Sequence, residues 1–191
     1  MDFAAARQSM IDSQLRTSGV NEPWVLARMA AVPREDFVPR SARAVAYTDR
    51  AVPIGGGAAL AAPLVHARML AEAKPNSNDR VLVVDGGSGY LGALLAGLAG
   101  SMTVIAADEA VRVGRKGDFT LLLVDGAVEH LPDALAKRLA DGARVVTGLV
   151  DDGVTRLAIG RKAGGTVALL PLAELGIPRL PAFDKPKVWS F

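Results

Sequence analysis

The chain has no cysteine and only two histidines, His66 and His130, far apart in sequence. There can be no disulfide framework, no thiol chemistry and no cysteine metal site, and two distant histidines make a zinc site a poor expectation. Charge of one sign is equally scarce. Lys and Arg number 22 against 20 acids, and although the pI is 9.1, the basic residues are scattered. No basic run exceeds the pairs Arg115-Lys116 and Arg161-Lys162. A nucleic-acid groove needs clustering, so no nucleic-acid partner is expected. No stretch approaches ~18 uninterrupted apolar residues, and the opening MDFAAARQSM lacks a basic segment followed by an apolar one. The expectation is a cytoplasmic protein with no membrane partner. Aromatics are also few, at 5%, while half of the residues are apolar. Ala, Val, Leu and Gly make up the excess, the composition of a tightly packed α/β protein.

At 191 residues the chain is long enough for one sizeable core, given ~150 residues per domain. Residues 1–75 read as a helical and loop-rich cap, 76–175 as a nucleotide-binding-type core and 176–191 as a proline-rich tail packed on it. In the cap, Ala6, Met10, Ile11 and Leu15 recur at helical spacing. Asn21 looks like an N-cap before Pro23, with Val25, Leu26, Met29 and Val32 as the next apolar face. The stretch 40–57 has too many breakers for a long element, and 59–73 reads as a further helix. From Arg80 the character changes. VLVV is a short β-branched run, followed by DGGSG and then the helix-like YLGALLAGLA, which fits a buried parallel strand running through a glycine loop into a helix. Further strands are expected at 102–108, 119–125, 143–149, 154–161 and 166–171, with a helix at 132–140 and antiparallel pairing at the end.

A glycine loop after the first strand of a doubly wound sheet lies at the switch point where ligands bind, because glycine lets the backbone approach them. Asp85, Gly86, Gly87, Ser88 and Gly89 occupy that place. A tight strand–helix turn wants glycine for structural reasons alone, so the loop by itself is weak evidence. Asp108, about 20 residues on at the end of the next strand, is positioned to accept from ribose hydroxyls. The two features together favour an adenosine-type ligand.

SQLRTSGV, VLARMAAVPREDFVP, AYTDRAVPIGGG and RVLVVDGGSGYLGALLA, in that order, closely resemble the amino-terminal half of protein-L-isoaspartate O-methyltransferases. DFTLLLVDGAVEHLPDALAKRLADGARVV resembles a later strand, helix and strand of the same family. The resemblance implies a class I S-adenosylmethionine-dependent methyltransferase fold, a Rossmann-like three-layer sandwich. It also implies S-adenosylmethionine as cofactor, bound at Asp85 to Gly89 and Asp108, and isoaspartyl-containing proteins or peptides as substrates. The implied reaction moves a methyl group to the isoaspartyl α-carboxyl, as a step of protein repair. Nothing fixes the oligomeric state as monomer or homodimer.

Three departures from the family pattern qualify those implications. Where the family reads GQTISQP, this chain has Gly57-Ala58-Ala59-Leu60-Ala61-Ala62-Pro63, so Ala59 and Ala61 stand at the threonine and serine positions beside the substrate carboxylate. One lost donor in such a site costs about 2.7–4 kcal/mol of barrier. Where the family loop reads EIGTGSG, Asp85 replaces a glycine. Its carboxylate either repels the cofactor's carboxylate or accepts from its ammonium. Only 11 residues, Asp108 to Asp118, then replace a helix, a strand and a further helix. They can extend ~36 Å against the ~20 Å that returning down the sheet and crossing two strands requires, so the sheet can close with one edge strand fewer. The expected function is isoaspartyl methyl transfer, weak or lost, or alternatively a catalytically inactive binding or scaffold protein. His66, His130, Trp24 and Trp189 read as structural or surface residues.

Overall fold

The computed structural model describes residues 1–112 and 116–185; Arg115, Trp189 and the end of the tail lie outside them. The chain begins with helix α1 (Phe3–Met10), whose first turn is capped by Asp2 accepting from the Ala5 N–H at 3.1 Å. A π-helical turn, Ile11–Leu15, continues it and buries Ile11 and Leu15 beside Met10. Helix α2 (Pro23–Ala31) starts on its proline and buries Val25, Leu26 and Met29. The residue before it is Glu22, not Asn21 as expected. Glu22 turns its carboxylate back onto the Asn21 N–H at 3.1 Å, so Asn21 is a donor to the turn and not its cap.

The breaker-rich stretch contains a short helical turn, Arg40–Val45, and a hairpin of β1 (Val52–Gly55) and β2 (Ala58–Leu60). Because Ala58–Leu60 pair with β1, helix α3 begins only at Pro63 and runs to Ala73. The helix expected from residue 59 is therefore shorter by one strand. Lys74 stops it with a left-handed backbone, φ 44°.

Six strands form the central sheet: β3 (Arg80–Asp85), β4 (Ser101–Ala106), β5 (Phe119–Val128), β6 (Leu139–Asp151), β7 (Val154–Ala163) and β8 (Thr166–Glu174). Their order is β4-β3-β5-β6-β7-β8, parallel through β6 and antiparallel thereafter. The 11-residue connection carries the chain from β4 past β3 to β5, and among the described residues β4 is one free edge of the sheet and β8 the other. Val104 on it is 46% exposed. Helices α4 (Tyr90–Leu95), α5 (Ala107–Ala110) and α6 (Asp133–Ala136) are short. The helices expected over 90–99 and 132–140 are correspondingly cut back. Gly97 takes a left-handed φ of 77° after α4, and Leu139 is already paired with Phe119 in the sheet.

Alternation along the strands builds two cores. Val81, Val83, Leu121 and Leu123 face α3 and the amino-terminal helices, while Leu82, Val84, Leu122 and Val124 face the other way. Among the described residues, the helices beside that second face are the one-turn α5 and α6, and the tail covers what they leave open. Ala127 N–H donates to Pro178 C=O at 2.8 Å and Leu180 N–H to Ala127 C=O at 2.9 Å. Leu180 and Phe183, the latter fully buried, then join the cluster that holds Val84, Val124 and Val145. Burying one such side chain contributes roughly 1.5–3 kcal/mol. Among the described residues no helix is long and apolar enough to cross a membrane.

Candidate ligand crevice and its buried polar network

Strand β3 is buried through Val84 and delivers Asp85 to the carboxyl edge of the sheet. Two of the glycines that follow are required for separate reasons. A β-carbon at Gly86 would overlap the carbonyl of Asp125 on the neighbouring strand. Gly89 precedes α4 with φ 73°, a conformation that costs an ordinary residue ~1–2 kcal/mol. Asp85 does not project away from the loop. Its Oδ1 accepts from the Gly89 N–H at 2.8 Å, and Ser88 Oγ accepts from the Tyr90 N–H at 3.1 Å. Two backbone donors at the start of α4 are thus satisfied by the loop's own side chains.

A cavity of about 320 Å³ lies beside the loop, lined by Asp85, Gly86, Gly87, Ala106, Ala107, Asp108 and the tail residues Leu180 to Ala182. Ligand pockets run from ~300 to 1,000 Å³, so this one is at the small end. Asp108 is exposed on α5, one element past the strand on which the sequence placed it, and pairs with Arg112 at 2.9 Å. The hairpin meets the loop from the opposite side. The β-carbon of Ala58 lies 3.1 Å from where one on Gly87 would stand. Ala59 is half-buried opposite Pro53, and Ala61 is 2% exposed, its carbonyl taken by the Arg34 guanidinium.

Behind the loop is a sealed polar network that sequence reasoning missed except for His66. Arg34 and His66 are fully buried and Asp125 nearly so. Arg34 donates to the carbonyls of Ala46, at 2.6 Å, and Ala61, and approaches His66 Nδ1 at 3.4 Å. A guanidinium can only donate, so Nδ1 carries the lone pair and the ring proton is on Nε2, donated to Asp125 Oδ1 at 2.9 Å. Ser88 Oγ reaches the other carboxylate oxygen at 3.5 Å. Both imidazole nitrogens are engaged, which suits a structural linker between α3 and β5. The Tyr90 ring packs edge-on against His66 and under Arg34, 5.1 and 5.2 Å away. Burial lowers the Arg34 guanidinium to about 10, against the opposing pull of Tyr90 and Asp125, and it remains charged at neutral pH. Burial likewise pushes the Tyr90 hydroxyl up to about 12, with Arg34 opposing.

Among the described residues no cluster of three or more His, Asp or Glu could hold a metal ion. His130, expected to face solvent, is half-buried, with its Nδ1 shielded and without a hydrogen-bond partner among the described residues. Trp24 packs half-buried against the core. A signal for Asp125 was present in the sequence. LLLV-Asp125-Gly126 repeats the pattern of VLVV-Asp85-Gly86, an acid and a glycine at the end of a buried strand.

Residues 5–115 match the family model for protein-L-isoaspartate(D-aspartate) O-methyltransferase. Protein-L-isoaspartate O-methyltransferase 1 of Rhodopseudomonas palustris is 37% identical over 75% of this chain and 69% of its own. The Koribacter versatilis protein-L-isoaspartate O-methyltransferase is 34% identical over 85% of both. The fold is similar to that of a Plasmodium falciparum protein described as a protein-L-isoaspartate O-methyltransferase, solved in complex with S-adenosyl-L-homocysteine. The TM-score is 0.73 at 18% identity, covering 95% of this chain and 99% of the other. With the family model matched across the cap, the hairpin and the glycine loop, and these relatives spanning the sheet beyond, the chain belongs to the protein-L-isoaspartate(D-aspartate) O-methyltransferase family.

Proposed function

We propose that this chain is an isoaspartyl methyltransferase relative that keeps an adenosyl-ligand crevice but transfers methyl groups to isoaspartyl carboxylates weakly or not at all. The observation behind this reading is the segment Ala58 to Ala62. It abuts the glycine loop through Ala58 and Gly87, where the family brings substrate and cofactor together, yet its side chains are apolar throughout. At the family's serine position, Ala61 is buried with its carbonyl committed to Arg34. Two missing donors at ~10²–10³ each in rate leave positioning by the backbone as the remaining contribution.

The crevice supports S-adenosylmethionine as ligand in one half and not in the other. Gly86 and Gly89 keep the loop low and open, and Asp108 offers an acid at the rim for ribose hydroxyls. The loop's donors at Gly89 and Tyr90, the groups that would receive a ligand carboxylate, are already occupied by Asp85 and Ser88. When bound, the cofactor would supply the methyl group; this chain's residues would hold its nucleoside and shield it with Leu180 and Pro181. The same occupied donors favour a second reading, a non-catalytic binding protein descended from the enzyme.

Titration calorimetry with S-adenosylmethionine and S-adenosylhomocysteine, paired with transfer of labelled methyl to an isoaspartyl peptide, tests the proposal. Binding with turnover at least about a hundredfold below an intact relative is expected. Ala59→Thr together with Ala61→Ser is expected to recover only part of the rate, because position 61 is enclosed. Wild-type turnover equal to the relative's would overturn the reading.

A further inference from the structure

We infer that Asp85 sets the ligand class of the crevice, selecting adenosyl cations that carry an amine and no carboxylate over S-adenosylmethionine itself. The inference rests on the proposed reading of the crevice as an adenosyl site and sharpens it. The Asp85 carboxylate is folded onto the Gly89 N–H at 2.8 Å, and Ser88 Oγ takes the Tyr90 N–H at 3.1 Å. A carboxylate arriving at these two positions therefore finds both donors taken and meets a fixed negative charge instead. Among the described residues the cavity lining holds two carboxylates, Asp85 and Asp108, and no cationic side chain. Arg112 pairs with Asp108 from outside that lining.

The Asp125 carboxylate, whose second oxygen points at Ser88, lies beneath the same loop, but the buried Arg34 guanidinium opposes its charge, so the negative charge of the crevice floor is that of Asp85. The sulfonium and ammonium groups of an adenosyl ligand are attracted to this floor; a ligand carboxylate is repelled. Size acts in the same direction. Leu180, Pro181 and Ala182 close the cavity to about 320 Å³, so an amino-acid chain shortened by its carboxylate fits with fewer unpaired polar atoms. Phosphorylated nucleotides are disfavoured for the same electrostatic reason.

The test is titration of the full chain with S-adenosylmethionine and with its decarboxylated amine, which differ by the carboxylate alone. The comparison is repeated on Asp85→Asn, which keeps an acceptor oxygen for the Gly89 N–H and removes the charge. The wild type is expected to bind the amine at least about tenfold more tightly, and Asp85→Asn to lose most of that preference. Equal or tighter binding of S-adenosylmethionine by the wild type would overturn the inference and leave the adenosyl reading standing. So would a preference for the amine that Asp85→Asn does not change. Failure of both ligands to bind either protein would overturn the inference and the adenosyl reading together.

Discussion

Removing the Asp125 carboxylate strands the His66 Nε2–H in an interior closed to water, because the other polar contact of that ring, Arg34, is made at Nδ1. A buried group left without its partner costs about 1–3 kcal/mol, and Arg34 would lose an opposing charge besides. Asp125→Ala is therefore expected to lower unfolding stability by an amount in that range, read from urea denaturation. Asp125→Asn keeps an acceptor oxygen and is expected to lose less. Equal losses for the two would show that shape, not the hydrogen bond, is what Asp125 provides. His66 and Asp125 are distant in sequence, and only the apposition of α3 and β5 makes them a pair. His66 could be read as structural from its apolar helix alone, whereas its partner could not be named. Asp85, by contrast, stood out against the family loop, although the direction of its side chain depended on φ angles that sequence does not display.

Among the elements, the tail joins the core through backbone pairing that its proline content does not reveal. Residues 176–185 add backbone hydrogen bonds to Ala127 at the end of β5 and place Phe183 in the second core. Phe183→Ala is expected to destabilise by about 3–5 kcal/mol, read from chemical unfolding. A loss under about 1 kcal/mol, within the range of ordinary surface substitutions, would mean the tail only rests on the surface.

A second joint between elements makes a pH prediction. Arg144 on β6 donates to the Ala73 carbonyl at the end of α3 and to Asp79 at 2.6 Å. Burial alone would raise the Asp79 carboxyl, but bonds from Arg144, the Asn76 backbone and Thr120 outweigh it and hold the carboxyl below its ordinary value. A lowered folded pKa means stability present above the unfolded value of about 3.9 and lost as pH falls through the folded one. Arg144→Met should accordingly unfold at a higher pH on acid titration, and an unchanged acid midpoint would contradict this. Strand existence was legible here because continuous apolar runs such as VLVV and LLLV have few alternatives. Helix ends were not: α4 stops just before Gly97 turns left-handed, and α6 stops where Leu139 joins the sheet.

At the scale of the whole molecule, the sheet closes across the short 108–118 connection. That connection, whose length is a plain count of residues, is long enough to cross β3 and bring β5 to its other side, which leaves β4 exposed at one edge. The second face then lacks cover, and the carboxy-terminal segment supplies it, passing over the crevice as it does so. The fold of the family is held by tail contacts that also line the crevice, while on the proposed function Ala58 to Ala62 retain the substrate hairpin without its hydroxyls. On the proposed function, fold and chemistry have separated in this chain. The most direct measurement of that separation is methyl transfer from labelled S-adenosylmethionine to an isoaspartyl peptide, run beside an intact family member at matched enzyme concentration. A rate lower by about a hundredfold or more is expected, and a rate matching the relative's would contradict the account.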